Sequence, residues 1–441
     1  MNVRALDSTT KRRSGLLLFK RALQEKSKAE RLVLRTICDP DELEPLRTIW
    51  QCWPGTRDSD FDFFSSVVRS RTGCHPYVVV LLRNAKPDAI LVGLRERRKL
   101  PYKLGWLPIC ELEINVLEFV SGGLRGSASE ENCAAFVRHV IRSLDEGNAD
   151  MALWKEVDVK SPLLSYALQW PHFVLRDHFP CVDEHWWIKN LPDNLNSFFM
   201  SRNKSQRSKL RHKYRNMLKH FAGTIRIRCF RSVADLELAV RDMEEIASKT
   251  KRRLSRLGFF DTPQSREEML VMAQKGWLRI YILYIAEKPA AFWKGTLYGE
   301  CLQGDHAGYD PLWSKFSPGI FLFLNMIEDL CKEGVNTVDL GFGDTQLKKY
   351  LGTLRCLESQ VRIYAPTLRG IVTNLLNLSC PRINDCTRLL LQRTGCLEWA
   401  RRTRRKRLEL QNGVGSVQPP APALASESLD SSKRSVTQCH T

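Results

Sequence analysis

The order of predicted strands and helices constrains the fold most, because nearly the same order occurs twice along the chain. In the later copy, β-branched and apolar runs bounded by turn residues predict strands, and apolar residues at helical spacing predict helices. The predicted strands cover residues 224–230, 278–286, 290–297, 301–308, 337–341 and 360–364. The predicted helices cover residues 197–221, 233–249 and 318–332. This copy is therefore expected to be a strand meander followed by a helix and a further strand.

The earlier copy repeats this order loosely. Its predicted strands cover residues 32–37, 77–82, 90–94 and 151–157, and its predicted helices cover residues 41–52, 61–71 and 130–144. A turn at residues 84–88 joins two of the strands into a hairpin, and a segment at residues 180–189 is expected to cross between the copies. We predict an α/β fold of two tandem domains, each with a mixed, mainly antiparallel sheet flanked by helices.

A chain of 441 residues is long enough for two domains and additional terminal segments. The predicted domains are residues 31–190 and 191–366, followed by a helical basic extension at residues 367–411. Residues 1–30 are basic and polar, and residues 412–441 are rich in Ser, Pro and Ala without apolar periodicity. We expect both terminal segments to be disordered.

The overall charge indicates a negatively charged partner. The chain has 68 Lys and Arg against 49 Asp and Glu, a net charge of +19, which favours phosphorylated cofactors, nucleic acid or an anionic membrane surface. The basic run at residues 401–407 fits either a solvated helix face or a surface that docks on phosphates or an anionic membrane. Charge alone does not choose among these partners.

The cysteines and the apolar runs suggest the compartment. The 14 cysteines are scattered singly, without zinc spacing or a disulfide framework, so reduced thiols and no metal site are expected. We identify no signal peptide and no run of the roughly 20 apolar residues that a membrane-spanning helix needs. The sequence thus predicts a cytoplasmic protein, either free or bound peripherally to a membrane.

The segment from Gly308 to Ile320 carries the most functional information, because it follows a predicted strand and opens a predicted helix. Ser317 suits the N-cap, Pro318 suits the first helical position, and Gly319 lets a ligand approach the backbone. Free N–H groups and the helix dipole favour an anion such as pyrophosphate there. From these residues alone, an ordinary capped helix is an equally good interpretation.

Four motifs between about Ser201 and Tyr364 resemble the CelD-type, FemAB-like acetyltransferases of the GNAT superfamily. They are Tyr309-Asp310-Pro311, Ser317-Pro318-Gly319, Asp339-Leu340-Gly341 and Gly343-Asp344 with Lys348-Lys349. The resemblance implies two fused GNAT-like domains, of which the second binds acetyl-CoA or another acyl-CoA at the helix start. The implied cofactor residues are Phe316, Ser317, Pro318, Gly319 and Ile320.

Acyl transfer from a thioester needs a proton acceptor, donors for the developing oxyanion, and a proton for the departing thiolate. The resemblance places the oxyanion donor on the backbone of the strand before the cofactor helix, between residues 303 and 308. Asp305 is the first candidate for the base or for positioning the acceptor, and His306 is the second. Because neighbours on a strand face opposite ways, only one of them is expected to face the site. Tyr309 is the candidate proton donor. Each of these residues is also compatible with a purely structural role.

Three residues are candidates for substrate binding. Lys294 interrupts an apolar strand, so its side chain either faces solvent or reaches into the cleft to bind an anion or the acceptor. Asp344 and Lys348 belong to a family motif, although a surface pair one helical turn apart needs no functional role. In addition, residues 201–231 contain 11 Lys and Arg and no acidic residue, which suits either CoA phosphates, an anionic acceptor or simple solvation.

Three functions remain open at this stage. The leading hypothesis is an acyl-CoA-dependent N- or O-acyltransferase with an unknown amine or hydroxyl acceptor. The resemblance suggests a bacterial enzyme that modifies an envelope polysaccharide, a lipid or a metabolite. A Fem-type transferase that takes its acyl group from aminoacyl-tRNA is the second, although no long helical hairpin insertion is apparent. A non-catalytic polyanion-binding protein is the third. A nucleic-acid partner is disfavoured because the chain has no recognised reader module or aromatic stacking pattern.

Overall fold

The computed structural model describes residues 32–395, apart from residues 106, 251–252, 254–257 and 344, together with residues 402–403. The two predicted disordered ends and most of the basic run at residues 401–407 lie outside the described residues. The strands are β1 (Leu32–Ile37), β2 (His75–Arg83), β3 (Lys86–Leu104), β4 (Leu107–Gly126), β5 (Met151–Asp158), β6 (Cys181–Ile188), β7 (Ile225–Phe230), β8 (Leu278–Ile285), β9 (Lys288–Tyr298), β10 (Cys301–Tyr309), β11 (Thr337–Phe342) and β12 (Leu354–Tyr364).

The helices pack on both faces of these strands. They are α1 (Arg47–Cys52), α2 (Phe61–Ser70), α3 (Glu130–Asp145), α4 (Pro162–Gln169), α5 (Leu195–Met200), α6 (Lys204–Phe221), α7 (Leu236–Ser248), α8 (Pro263–Gln274), α9 (Pro318–Lys332), α10 (Gln346–Leu351) and α11 (Leu368–Arg393). None of the described helices is both long and apolar enough to span a bilayer.

All the strands join one sheet, in the order β1-β2-β3-β4-β5-β12-β6-β11-β10-β9-β8-β7. We call β1 to β6 the first half and β7 to β12 the second half. Each half has an antiparallel four-stranded meander whose last strand pairs in parallel with the next strand, β4 with β5 and β10 with β11. The predicted α/β fold with tandem, mainly antiparallel units is confirmed.

The two halves exchange their last strands at the centre of the sheet. β6 of the first half pairs with β11 of the second, while β12 of the second half pairs with β5 of the first. β6 and β12 also pair with each other over seven residues, from Leu354 opposite Trp187 to Gln360 opposite Cys181. Residues 180–189 are expected to cross between the copies, and β6 does pair with strands of the other half. The boundary at residue 190 stays a prediction.

Three large apolar clusters hold the helices to the sheet. One lies between the halves and combines residues of α1, α2 and β2 with residues of α7, α8 and β8. A second packs α5, α6 and α9 on the opposite face of the second half, and a third packs α3 and α4 on the first half. Because the first cluster is shared, side chains of one half are brought within bonding distance of side chains of the other.

Several predicted elements differ from the structure. The predicted helix at residues 197–221 is two helices, because Ser201 and Arg202 separate α5 from α6 and Asn203 caps α6 by accepting from the N–H of Gln206 at 2.9 Å. The long hairpin of β3 and β4 and the helix α8 were not predicted. Much of β3 after Arg95 and of β4 forms an exposed ribbon in which charged and apolar side chains alternate. This pattern predicts a strand less clearly than a buried apolar run does.

Candidate active site

A gap between β10 and β11 forms the centre of the site. The two parallel strands pair over only three residues, Cys301 to Gln303 with Thr337 to Asp339. From Gly304 onwards they separate, so the β10 backbone that faces the gap is not paired with β11. On its other edge, β10 has a bulge against β9 between Gly304 and His306. Backbone N–H groups are thereby available where β10 borders the gap.

Helix α9 begins beside the open end of this gap. Its first residue is Pro318, as predicted, and Ser317 occupies the N-cap position. The predicted side-chain cap is wrong, because Ser317 has a left-handed backbone (φ 56°, ψ 52°) and its hydroxyl makes no capping bond. The carbonyl of Ser317 accepts from the N–H groups of Ile320 and Phe321 instead, at 3.1 and 3.2 Å. The hydroxyl is therefore not used to cap the helix.

The space above the first turn of α9 is open. A Cβ added to Gly319 would meet only one neighbour within 4 Å, the Cδ1 atom of Tyr309 at 3.7 Å. Tyr309 is 45% exposed and lies at the end of β10, and its ring borders the start of α9. Among the residues that the structure describes, Tyr309 is therefore the side chain that borders the backbone of Gly319.

Aromatic packing fixes the position of this helix start. The Phe316 ring lies 4.7 Å from that of Phe221 and 5.1 Å from that of His220, at the end of α6. Trp313 contacts Phe221 from the other side, with ring centroids 5.5 Å apart, and Ile320 packs on the cluster beneath the sheet. Of the five residues predicted to bind cofactor, Phe316 and Ile320 thus have packing roles, and Gly319 presents the accessible backbone.

Asp305 lies in a buried ion cluster that joins the two halves. Its carboxylate accepts from Arg57 of the first half at 2.6 Å and from Lys294 at 2.7 Å, and the Thr296 hydroxyl lies 3.2 Å away. The Arg57 guanidinium also donates to Asp58 at 2.8 Å. Lys294 therefore reaches into the cleft and does not face solvent, since its side chain is only 8% exposed.

The expectation that only one of Asp305 and His306 faces the site is wrong. His306 pairs with Lys294 across the strands, so both side chains lie on the cleft face of the sheet. The bulge interrupts the alternation and turns Asp305 to the same face, where it meets Lys294. The His306 ring contacts Phe259, with centroids 6.0 Å apart.

The charges around Asp305 disfavour its predicted role as general base. Burial by itself would raise the pKa of Asp305, but Arg57 and Lys294 outweigh burial and hold the pKa well below its usual range. An efficient general base has a pKa near the working pH. Asp305 is better suited to holding Lys294 and Arg57 in place at the bulge.

Glu156, on β5, was not identified from the sequence. It has a left-handed backbone with φ 54°, and it lies where the pairing of β5 with β12 shifts register. Burial raises the pKa of Glu156 to about 7, and the nearby carboxylates of Asp58 and Glu358 act in the same direction, against a hydrogen bond with Ser121. Unusual backbone and perturbed pKa values cluster at functional sites.

The internal repeat gives Glu156 a counterpart in the second half. The last parallel pairs are Phe119 with Trp154 in the first half and Gln303 with Asp339 in the second. Two residues after Trp154 is Glu156, and two residues after Asp339 is Gly341, which also has a positive φ of 75°. Each half thus has a bend with positive φ two residues after its last parallel pair. The residue at this bend is a glycine in the second half and a glutamate in the first.

A histidine with two carboxylates lies beside this bend. His185 Nε2 is 2.6 Å from Asp339 Oδ1, and Nδ1 is 3.1 Å from Glu358 Oε1. Burial opposes protonation of the ring, but the two carboxylates outweigh it and raise the pKa of His185 to about 9. Asp339 also accepts from the N–H of Gly341 at 2.6 Å. His185 is thus a charged group that fixes the end of β11.

Of the other predicted substrate residues, Lys348 lies at the far side of the gap. Its ammonium group donates to the Phe342 carbonyl and lies 3.7 Å from the position that a Cβ on Gly341 would take. Asp344 lies outside the described residues. Lys348 therefore closes the end of β11, while Lys294 lies on the cleft face of β9.

A cavity of about 620 Å³ borders the segment that joins β10 to α9. Asp310 lies in its wall, where its carboxylate accepts from Lys249 and from the N–H of Leu312, both at 2.9 Å. Five cationic and four acidic side chains line this cavity, so their charges nearly balance. The cavity has room for a small ligand but does not select an anion by charge.

Comparison with known families agrees with this geometry. Residues 204–349, about a third of the chain, match the family model described as an acetyltransferase (GNAT) domain. The matched segment contains the β10–β11 gap and the start of α9. This segment of the chain is therefore similar to a GNAT acetyltransferase domain.

Solved structures with related folds are similar only distantly in sequence. FemX is 12% identical, with 79% of this chain and all of that chain covered and a TM-score of 0.48. L-PGS from Bacillus licheniformis is 14% identical, with coverage of 80% and 99% and a TM-score of 0.45. A tandem GNAT protein from the clavulanic acid biosynthesis pathway is 10% identical, with coverage of 76% and 99% and a TM-score of 0.43. No curated protein matches the sequence.

Proposed function

We propose that the chain is an acyl-CoA-dependent N- or O-acyltransferase of the CelD-type group, acting in the cytoplasm on an amine or hydroxyl acceptor. One observation carries the proposal: the β10–β11 gap opens beside the first turn of α9, where Gly319 leaves the backbone accessible. Pro318 has no N–H, and Ile320 and Phe321 donate to the Ser317 carbonyl, so the Gly319 N–H and the helix dipole are what this turn offers to the pyrophosphate of CoA. Acetyl-CoA and longer acyl-CoAs are the proposed donors.

In this proposal the thioester lies in the gap and its carbonyl oxygen accepts from backbone N–H groups of β10 beyond Gly304. Such preorganised donors stabilise the oxyanion that develops when the acceptor attacks the carbonyl carbon. The C–S bond then breaks, and the departing thiolate takes a proton from the Tyr309 hydroxyl. Tyr309 suits this role because its ring borders Gly319 at the helix start.

Glu156 is the proposed proton acceptor, in place of Asp305 and His306. Its pKa of about 7 makes it a carboxylate for half of the molecules at neutral pH, whereas Asp305 is held by two cations. Glu156 lies near Asp58, and the adjacent Arg57 donates to Asp305, so charged side chains connect the two carboxylates along the cleft between the halves. The acceptor would enter this cleft, with Lys294 and Lys348 on either side of the gap.

Thermal stability with and without acetyl-CoA, longer acyl-CoAs and free CoA tests the proposal. A ligand that binds only the folded chain raises its melting temperature by mass action. Gly319→Trp should abolish the shift because the indole would fill the open space at the helix start, while Gly319→Ala, whose Cβ meets only Tyr309 at 3.7 Å, should keep it.

Failure of every CoA species to shift the wild-type melting temperature would overturn the acyl-CoA proposal. A Fem-type donor would then be tested with aminoacyl-tRNA in the same assay. Equal shifts in wild type and a folded Gly319→Trp variant would place the donor away from α9.

A further inference from the structure

Helix α6 carries an unusual set of charges. None of its seven Lys and Arg side chains forms an ion pair with a carboxylate that the structure describes, whereas Arg226, Arg228 and Arg231, which follow in the chain, are all paired. The seven are Lys204, Arg207, Lys209, Arg211, Lys213, Arg215 and Lys219. No carboxylate of the described fold therefore neutralises this helix.

Four of these cations form a line along one side of α6; three are exposed, and Arg211 is half-buried against Asn196 and Phe199. Lys204, Arg211, Arg215 and Lys219 are spaced by seven, four and four residues, which places them on one side of a helix. At 1.5 Å per residue the line is about 22 Å long. We call these four side chains the cationic face.

The opposite side of α6 is anchored to the protein. Leu210 and Met217 are buried, and Tyr214 packs on Phe321 of α9 with ring centroids 5.0 Å apart. The helix is therefore held along its length, and the cationic face is presented as a fixed surface.

Two features of the cationic face distinguish between possible polyanions. Apolar side chains are exposed beside it, Leu218 at 42% and Met200 at 60%. The aromatic residues of α6, Tyr214 and Phe221, point into the core, so they offer no stacking platform for nucleic-acid bases. Basic and apolar side chains together are typical of a surface that binds an anionic lipid bilayer.

We propose that the cationic face of α6 docks the protein on anionic lipid membranes. Juxtamembrane cations are attracted by the negative surface potential of such lipids, and nearby apolar side chains enter the interfacial layer. The last turn of α6 contacts Phe316, so docking also brings the start of α9 close to the bilayer. If the proposed acyl transfer holds, its acceptor is then a molecule borne by the membrane.

Co-sedimentation with lipid vesicles tests the docking directly. The full chain is mixed with vesicles of phosphatidylglycerol and phosphatidylcholine, or of phosphatidylcholine alone, at about 0.1 M salt, where charge interactions reach about 10 Å. We expect binding to the anionic vesicles only. Changing the four residues of the cationic face to Gln should weaken that binding about tenfold or more.

A matched control variant removes four positive charges from other parts of the surface. Arg97, Lys99, Arg226 and Lys332 each lie within 4.0 Å of a carboxylate and are exposed, and changing them to Gln should leave vesicle binding within about twofold of wild type. A cooperative thermal unfolding transition close to that of wild type, measured without any ligand, would show that the variant is folded.

Three results would overturn the proposal. They are no binding of the wild type to anionic vesicles, equal loss in the cationic-face and control variants, and tighter binding to a short RNA duplex than to the vesicles at equal salt. Each is independent of the acyl-CoA assay, so the failure of docking and the failure of the proposed enzyme activity are distinguishable.

Discussion

Replacing Asp305 by Ala should destabilise the protein strongly, because it leaves Lys294 buried without a carboxylate. Arg57 keeps Asp58 at 2.8 Å, but the structure describes no second carboxylate within ion-pair distance of Lys294, whose side chain is 8% exposed. Removing one partner of a buried pair costs about 3–5 kcal/mol. We expect a loss of that size in the free energy of unfolding, measured by urea titration at pH 7.

The double variant Asp305→Ala, Lys294→Met should recover part of this loss, since it also removes the stranded cation. Glu113→Ala is the matched control, because Glu113 pairs with Arg97 at 2.9 Å on the surface, where such pairs contribute about 0–1 kcal/mol. A loss in Asp305→Ala no larger than in Glu113→Ala, or no recovery in the double variant, would refute the reasoning.

The pH dependence of the same variant follows from the lowered pKa of Asp305. A carboxyl whose pKa is lower in the folded protein contributes stability above its unfolded pKa, near 3.9, and loses that contribution as the pH falls further. The difference in unfolding free energy between wild type and Asp305→Ala should therefore be constant from pH 5 to 7 and shrink below about pH 4.

Two further predictions concern the buried groups at the centre of the sheet. The pKa of His185 is raised to about 9 from an unfolded value near 6.5. The charged ring therefore contributes roughly 3 kcal/mol to the free energy of unfolding below pH 6.5, and this contribution is lost as the pH rises through 9. Urea titrations should show a lower free energy of unfolding at pH 9.5 than at pH 6 in wild type, and a much smaller difference in His185→Gln. An equal difference in the two proteins would contradict this prediction. If the proposed acyl transfer holds, Glu156→Gln should lower its rate about 10²–10⁴-fold and remove the rise in rate expected of the wild type through about pH 7, while keeping the expected CoA-induced melting shift. An unchanged pH profile in Glu156→Gln would assign the proton acceptor elsewhere.

Local sequence signals were sufficient for most individual elements and for the helix that starts the candidate site. Pro318 can begin a helix but not continue one, and the apolar spacing from Ile320 onwards specifies the buried face of α9. Likewise, the turn after Arg83 was evident from its residues, and Asn84 and Ala85 indeed have positive φ values of 52° and 64°. These features depend on neighbours within a few residues, which is the range over which sequence patterns are informative.

Only the tertiary structure decided how those elements meet. The bond from Arg57 to Asp305 spans 248 residues of sequence, and it exists because the two halves share one core. The raised pKa of Glu156 likewise depends on burial and on carboxylates from distant strands, which no local pattern records. The sequence by itself therefore determined most of the helices, most of the strands and the family motifs. The exchange of β6 and β12 and the charge state of the cleft arose from long-range pairing and burial, which depend on where the whole chain places each strand.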